Sequence, residues 1–308
     1  MPDGEKYMKK RALVLINRKA GTGKAGNEAM DIVTALGEQD YEPIVYPILP
    51  GTELTSENLV EQYDGKADLI LCSGGDGTLN HVVNSMMKLK KRPILAYVPA
   101  GSTNDFARGL GIPAGKAGAI QAAVKGEPFS YDIGRMNDHY FNYVAAFGAF
   151  SKVSYATDQE LKNVLGYAAY VISAIAELPQ NMAYNCHMKI ETDDLTEEGD
   201  YIFGAVCNSA SVGGMKLLES ADVHQDDGKM ELILIRAPKN IGEMNLILTA
   251  LAMGDVNSNF ITFRQVTRVT FYSDENTSWT IDGEYGGDAR KTEIEVIDKA
   301  ITIMTKKG

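Results

Sequence analysis

The sequence predicts an α/β N-terminal domain with a parallel sheet, and a second domain that is largely antiparallel β with inserted helices. Apolar strand-like segments alternate with helix-like segments over residues 12–125, which is typical of parallel strands joined by helical crossovers. Beyond residue 129, strand-like segments follow one another through tight turns. The length of 308 residues is enough for two ordinary domains.

The first domain is predicted to cover residues 1–128. Its predicted strands are 12–17, 44–46, 68–72 and 93–98, and its predicted helices are 27–36, 57–63, 79–89 and 114–125. In a parallel α/β sheet, ligands gather at the carboxyl ends of the strands. The polar turns that follow Asn17, Cys72 and Val98 are therefore the candidate binding loops.

The second domain is predicted over residues 129–291. Its predicted strands are 140–146, 186–191, 201–208, 229–235, 265–272 and 278–281. Two further segments, 161–178 and 241–253, are predicted helices with apolar residues at helical spacing. The final segment, 292–305, is predicted to be a strand.

The composition excludes several classes of protein. A formal net charge of −11 opposes binding to nucleic acid, which rewards clustered Lys and Arg. The three cysteines lack metal-ligand spacing, and their odd number argues against a disulfide framework. The sequence has no apolar run long enough for a membrane-spanning helix and no signal-peptide pattern at its N-terminus. We therefore expect a cytoplasmic protein.

The most informative motif is the run 73–80, in which three glycines surround Asp76. It joins a predicted buried strand to a predicted helix, and glycines let backbone amides at a helix N-terminus approach a phosphate closely. The Asp76 carboxylate can reach a metal ion. A second polar turn, Gly101–Asp105, follows the next strand. The two loops are therefore predicted to converge on one phosphate site.

Residues 21–26 match the G-x-G-x-x-G pattern of dinucleotide-binding enzymes. Four residues separate the strand from the first glycine, however, whereas that fingerprint normally turns at once. A P-loop would need glycine at Arg18 and a hydroxyl residue at Ala25. The loop is therefore predicted to be neither, although its amides and Lys24 can bind phosphate.

Two acidic turns of the second domain have two interpretations each. Asp282-Gly283-Glu284 is either an ordinary hairpin turn or the position of a general base that accepts a hydroxyl proton. The turn 221–229 is either a solvated acidic turn or a cation site, in which a carboxylate and backbone carbonyls bind Mg²⁺ or Ca²⁺.

The order of four motifs resembles the diacylglycerol kinase catalytic-domain family, which includes bacterial soluble diacylglycerol kinases, related lipid kinases and sphingosine kinases. The motifs are Asn17-x-x-Ala20-Gly21, Gly74 to Asn80, Pro99 to Arg108 and Asp282-Gly283-Glu284. The resemblance covers essentially the whole chain, and it implies a two-domain fold that is NAD-kinase/diacylglycerol-kinase-like. It implies a kinase that uses ATP and Mg²⁺ to phosphorylate diacylglycerol or a related lipid alcohol. It also implies that segment 292–308 returns to the first domain.

The resemblance also implies the residues of the site. Glu284 corresponds to the general base, and Asp76 and Asp105, supported by Asp132 and Asp282, correspond to an acidic network that positions the catalytic Mg²⁺. The implied ATP-binding residues are Asn17, Arg18, Lys19, Ala20, Gly21, Gly75, Asp76, Gly77, Thr78, Leu79, Asn80, His81 and Ser102. A structural Mg²⁺ is implied at Asp227 and at the backbone carbonyls of His224 and Lys229.

Departures from the family pattern concern the nucleotide loops. Arg18 stands where the family usually has proline, His81 replaces an acidic residue, and Ser102-Thr103 replaces threonine followed by a variable residue. Arg18 bears on the shape of the first loop, and His81 bears on the contacts with the nucleotide. Neither removes a carboxylate that is implied in catalysis.

Two other functions stay open on the sequence. An NAD kinase-like enzyme would phosphorylate a soluble substrate, but Asn104-Asp105-Phe106 is typical of the lipid branch. A non-catalytic nucleotide- or lipid-binding module would not need Asp76, Asp105 and Glu284. A lipid substrate further implies transient, peripheral contact with the membrane. Helix 161–178 is a candidate for that contact, although its apolar face favours burial in the core.

Overall fold

The computed structural model describes residues 10–17, 25–101, 104–148, 185–208, 223–253, 255 and 258–306, with the backbone alone for 25–27, 105 and 252. The chain forms two compact units, of which the first comprises Met1–Ser130 and Ile301–Gly308 and the second Tyr131–Ala300. The predicted helix 161–178 lies outside the described residues.

The first unit alternates strands and helices. Its elements are β1 (Lys10–Ile16), α1 (Ala25–Gly37), β2 (Tyr41–Pro47), α2 (Ser56–Gln62), β3 (Leu69–Gly74), α3 (Asp76–Met87), β4 (Ile94–Pro99), α4 (Asp105–Gly109) and α5 (Lys116–Lys125). Two further strands, β5 (Glu127–Met136) and β13 (Glu284–Thr305), continue from one unit into the other.

The sheet of the first unit has the order β13–β4–β3–β1–β2, and these strands pair in parallel. Strand β3 is buried along its whole length, as expected for a parallel sheet covered on both faces. Helix α1 packs against α5, and α2 packs against α3. Helix α3 buries Leu79, Val82, Val83 and Met86, so the predicted apolar face is confirmed for these residues. The helix ends at Met87 and not at the predicted Leu89.

The second unit is built mainly from antiparallel strands. Its further elements are β6 (His139–Phe141), β7 (Val144–Gly148), β8 (Cys186–Thr192), β9 (Thr196–Cys207), β10 (Met230–Arg236), α6 (Ile241–Met253), β11 (Ile261–Val266) and β12 (Arg268–Ile281). The sheet order is β11–β10–β9–β7–β12–β13, and β8 pairs with both β9 and β12. The predicted antiparallel character is confirmed.

Aromatic side chains form the centre of the second core. The rings of Phe147, Phe271 and Trp279 lie with centroids 5.0 to 5.7 Å apart, in tilted or edge-on pairs, as the charge distribution of aromatic rings favours. Gly204 on β9 leaves room for the Phe147 ring, because a Cβ there would overlap it.

Some predictions about the elements and the unit boundaries are wrong in detail. The predicted strand 140–146 is two strands, broken where the backbone N–H groups of Asn142 and Tyr143 bind a carboxylate instead of a neighbouring strand. The predicted strand 265–272 is likewise broken at Thr267, and its second part extends to Ile281. The return to the first unit begins at Ile301 rather than at residue 292, because Thr292 and Ile294 still pair with β12. The first boundary lies after Ser130.

Among the described residues, no helix is long and apolar enough to span a membrane.

Candidate functional site: a glycine loop and buried carboxylates

The glycine loop makes an abrupt change from strand to helix. Strand β3 ends at Gly74, Gly75 is the N-cap residue in extended conformation, and α3 begins at Asp76. The helix therefore starts three residues before the predicted Leu79. Because Gly75 has no side chain, it cannot cap the N–H groups in the first turn of α3. These N–H groups belong to the positive end of the helix dipole.

Asn17 joins the end of β1 to the start of α3. Its backbone N–H donates to the Ser73 carbonyl at 2.9 Å, and its side-chain Nδ2 donates to Thr78 Oγ1 at 2.8 Å. The structure thus brings together Asn17 and Thr78, two of the residues predicted to bind ATP. Thr78 lies in the first turn of α3, where its hydroxyl receives this bond.

The two glycine-containing loops touch through their backbones. A Cβ on Gly101 would lie 2.8 Å from the Gly75 Cα, and the Ala100 N–H donates to the Gly74 carbonyl at 2.8 Å. Asn104, in left-handed conformation, binds the Gly101 N–H and C=O through its side chain at 2.9 and 2.8 Å. The predicted convergence of the two loops is therefore confirmed at Gly75 and Gly101.

Tyr97 and Cys72 are buried on the two strands that lead into the glycine-containing loops. The Tyr97 hydroxyl donates to the Gly74 carbonyl at 3.1 Å. The pKa of Tyr97 is raised by burial and by the negative charge of Asp76. Burial also raises the pKa of the Cys72 thiol to about 12, so this cysteine is not a thiolate nucleophile at neutral pH.

The other residues predicted to bind ATP differ in their burial and in their hydrogen bonds, and some of them lie outside the described residues. Leu79 is buried, and its N–H donates to the Gly75 carbonyl at 3.0 Å. The carbonyl and Oδ1 of Asn80 accept bonds from Asn84, and His81 is exposed. The structure gives the backbone of Asp105, at the start of α4. The residues Arg18, Lys19, Ala20, Gly21 and Ser102 lie outside the described part of the chain.

Asp282 is a buried carboxylate that holds the segment between β6 and β7. Its Oδ2 accepts the backbone N–H and the side-chain Nδ2 of Asn142, at 2.8 and 3.0 Å. Its Oδ1 accepts the N–H groups of Tyr143 and Val144, at 3.0 and 3.1 Å. Tyr131 in turn donates to Asn142 Oδ1 at 2.9 Å. These bonds give Asp282 a structural use, which the sequence did not indicate.

Asp282 and Gly283 form the two-residue turn of the β12–β13 hairpin. Both have positive φ, 49° and 86°, as a type I′ turn requires. Glu284 follows as the first residue of β13, opposite Ile281, and is exposed. The hairpin interpretation is therefore correct, and the exposed Glu284 directly follows this turn.

Asp132 binds two backbone segments of the second unit. Its Oδ2 accepts the Gly228 N–H at 2.7 Å, and its Oδ1 accepts the Lys299 N–H at 2.7 Å. Burial raises the pKa of Asp132, whereas the two N–H donors favour its ionised form. The structure thus brings Asp132 together with the acidic turn that contains Asp227.

The acidic turn contains oxygen donors of the kind that Mg²⁺ prefers. Asp227 is exposed, and its Oδ1 accepts the Lys229 N–H at 3.0 Å. Within the described ranges, no group of three or more His, Cys, Asp or Glu side chains is arranged as a metal site. A cation here would accordingly rest on one carboxylate and on backbone carbonyls, which is the donor set implied at His224 and Lys229.

Two buried polar residues beside this turn were missed by the sequence analysis. Glu231 and Asn208 are each 1% exposed. Burial, together with the negative charge of Asp227, raises the pKa of Glu231 to about 7, while His224 acts in the opposite direction. The signal in the sequence was present, because Glu231 is the one acidic residue within the apolar strand Met230–Ile235.

Two family models together match most of the chain. The diacylglycerol kinase catalytic domain matches residues 11–136. The YegS C-terminal NAD kinase beta sandwich-like domain matches residues 144–305.

Similar proteins and structures point the same way. A diacylglycerol kinase of Staphylococcus epidermidis is 31% identical over 97% of this chain and 93% of its own length. A diacylglycerol kinase of Staphylococcus aureus is 32% identical over 91% of this chain and 88% of its own. A crystal structure of a candidate diacylglycerol kinase from Bacillus anthracis matches with a TM-score of 0.82 and 25% identity, covering 97% of both chains. A second Bacillus anthracis structure, at 21% identity and a TM-score of 0.74 over 98% of both chains, shows the same fold.

Proposed function

Because this chain belongs to the diacylglycerol kinase catalytic-domain family, we propose that it transfers the γ-phosphoryl group of ATP to a hydroxyl of diacylglycerol or a closely related lipid alcohol. It is an ATP-dependent lipid kinase, a transferase with an alcohol acceptor. The observation that carries the proposal is the contact between Gly75 and Gly101 at the start of α3. A backbone without side chains at this point leaves the helix N-terminus open to a phosphate.

The ATP phosphates are assigned to the loops at the carboxyl ends of the strands of the first unit. Asn17 and the segment Gly75–His81 would bind them, together with Arg18–Gly21 and Ser102. Asp76 and Asp105 would hold Mg²⁺, since carboxylate oxygens are its preferred protein ligands. When bound, the ion neutralises charge on the β- and γ-phosphates. Asp76 is the first residue of α3, and the N-terminal end of a helix favours a negatively charged side chain.

Glu284 is assigned as the general base. A hydroxyl nucleophile must lose its proton as it attacks, and a positioned carboxylate can accept it. Two observations support the assignment: Glu284 is exposed, and it follows a turn that Asp282 fixes through four hydrogen bonds. Asp282 therefore acts as a positioning residue in this proposal.

A structural Mg²⁺ is proposed at Asp227 and the carbonyls of His224 and Lys229. The donors are hard oxygens, and the bond from the Gly228 N–H to Asp132 fixes the turn that carries them. Asp132 therefore supports the catalytic network indirectly, by holding this turn.

A cytoplasmic location with transient contact at the membrane matches this substrate. Diacylglycerol resides in the bilayer, and the net charge of −11 gives no general attraction to anionic lipid. We therefore propose peripheral contact rather than stable anchoring.

The experiment that tests the function is transfer of label from [γ-³²P]ATP with Mg²⁺, across diacylglycerol, a sphingoid base, another lipid alcohol and NAD. We expect labelled phosphatidic acid to be the main product. Label on NAD alone would favour the NAD kinase-like alternative, and no transfer to any acceptor would favour a binding module.

A further inference from the structure

Glu231 is a buried acid that the proposed mechanism does not use. It lies on β10 and is 1% exposed. Its Oε1 accepts a long bond, 3.5 Å, from Gln265 Nε2 on the neighbouring strand. Its Oε2 is buried and has no hydrogen-bond partner among the described residues. A buried carboxylate oxygen without a donor is costly, by an amount on the order of 1–3 kcal/mol or more, so its retention calls for a function.

The position of Glu231 relates this oxygen to the acidic turn. Glu231 follows Lys229, the last residue of the proposed cation site, by two positions. Glu231 pairs with Cys207 of β9, the residue before Asn208, and the Asn208 carbonyl accepts a hydrogen bond from Gln225 Nε2 of the turn at 3.3 Å.

Asn208 provides a second oxygen of the same kind. Its Oδ1 is buried without a hydrogen-bond partner in the described part of the chain. Its Nδ2 donates to the Asp132 carbonyl at 2.9 Å, and its own carbonyl accepts from Gln225 Nε2 at 3.3 Å. Asn208 is thereby tied to the turn that Asp132 holds, so two acceptor oxygens in need of donors belong to one neighbourhood.

A hydrated divalent cation supplies what these oxygens lack. Mg²⁺ gives up its water reluctantly and usually keeps several coordinated molecules in proteins. Those waters are strong hydrogen-bond donors, and residues that receive their bonds orient the ion and tune its affinity. One carboxylate with two carbonyls leaves coordination positions for such waters at the turn.

We propose that Glu231 binds the water shell of the divalent cation held by Asp227, His224 and Lys229, and so sets the affinity of that site. This inference rests on the proposed structural Mg²⁺ site. Glu231 is a positioning residue here, because it acts on the ion through water and touches neither substrate nor phosphate. Asn208, the residue that follows β9, contributes in the same way.

The test is a Mg²⁺ titration of the full chain without nucleotide, followed by isothermal calorimetry and by the thermal midpoint of unfolding. For the wild type we expect saturable binding and a rise in the midpoint. Glu231→Gln keeps the size of the side chain and removes its charge, and we expect it to weaken Mg²⁺ binding by about 10–100-fold. We expect Asp227→Asn to abolish Mg²⁺ binding, and this loss would identify the acidic turn as the site that binds the ion.

Two further variants separate this function from a merely structural one. Glu231→Met removes both oxygens, and we expect a protein at least as stable as the wild type without Mg²⁺ but with no Mg²⁺-dependent rise in the midpoint. Glu197→Gln is the matched control, because Glu197 also has a buried oxygen without a partner but is paired with Arg236 at the far end of β10. It should bind Mg²⁺ as the wild type does.

The outcomes distinguish the two claims. Unchanged Mg²⁺ affinity in Glu231→Gln and Glu231→Met, with binding lost in Asp227→Asn, would overturn the inference and leave the cation site in place. An absence of Mg²⁺ binding in the wild type, or unchanged binding in Asp227→Asn, would overturn the site and the inference together, and would leave the kinase function untouched.

Discussion

At the scale of single residues, Asp282 and Glu284 show how one short turn serves two purposes. Asp282 is 4% exposed and accepts four hydrogen bonds, whereas Glu284 is exposed. Each N–H donated to an ionised oxygen makes a strong bond, so the buried carboxylate fixes the geometry of the turn. The catalytic assignment of Glu284 depends on that rigidity, because a general base must stay within hydrogen-bond reach of the proton that it accepts.

We expect Asp282→Asn to destabilise the protein by roughly 3 kcal/mol, because the amide loses the charge and presents an NH₂ group to N–H donors. Urea unfolding measures this change. Asp288→Asn is the control, since Asp288 is an exposed carboxylate of the same hairpin, and it should change stability by less than about 0.5 kcal/mol. Equal, small effects of the two substitutions would show that Asp282 does not hold the turn.

At the scale of elements, the phosphate site depends on two loops that only glycine permits. The Gly75 Cα occupies the space that a Cβ on Gly101 would need, and Asn104 Oδ1 lies equally close to that Cβ, at 2.8 Å. Neither loop can therefore acquire a side chain at the contact without a shift of backbone. The open N-terminus of α3 is a consequence of this packing as much as of the helix itself.

We expect Gly101→Ala to push the two loops apart, to cost about 1–3 kcal/mol as other overpacked sites do, and to raise the KM for ATP. Steady-state kinetics with varied ATP, together with thermal unfolding, measures both effects. Gly37→Ala at the end of α1 is the matched control, because a Cβ there meets no atom within 4 Å. An unchanged KM for ATP in Gly101→Ala would contradict the assignment of this contact to the nucleotide site.

At the scale of the whole molecule, much of the architecture could be predicted because it follows from patterns of neighbouring residues in the sequence. Apolar segments such as 69–74 and the heptad-like spacing from Leu79 to Met86 follow from the periods of strands and helices. The glycine loop at Asp76 is also local, so its chemistry could be read from neighbouring residues.

What the sequence did not indicate depends on contacts between distant segments. The N–H groups of Asn142 and Tyr143 bind an acid 140 and 139 positions away, and this contact breaks a predicted strand that no local pattern interrupts. Strand β13 runs from Glu284 to Thr305, and its pairing partner, rather than its composition, decides which unit each part belongs to. The burial of Glu231 likewise arises from sheet pairing with Cys207 and Gln265.

The measurement that tests the account most directly is transfer of the labelled γ-phosphoryl group of ATP to diacylglycerol by the wild type and by Glu284→Gln, with thermal unfolding as the check on folding. We predict labelled phosphatidic acid from the wild type, and a loss of about 10²–10⁴-fold in the variant, which is the usual contribution of a general base, at an unchanged unfolding midpoint. A folded Glu284→Gln protein with near-wild-type transfer, or a wild type that labels no lipid, would contradict it.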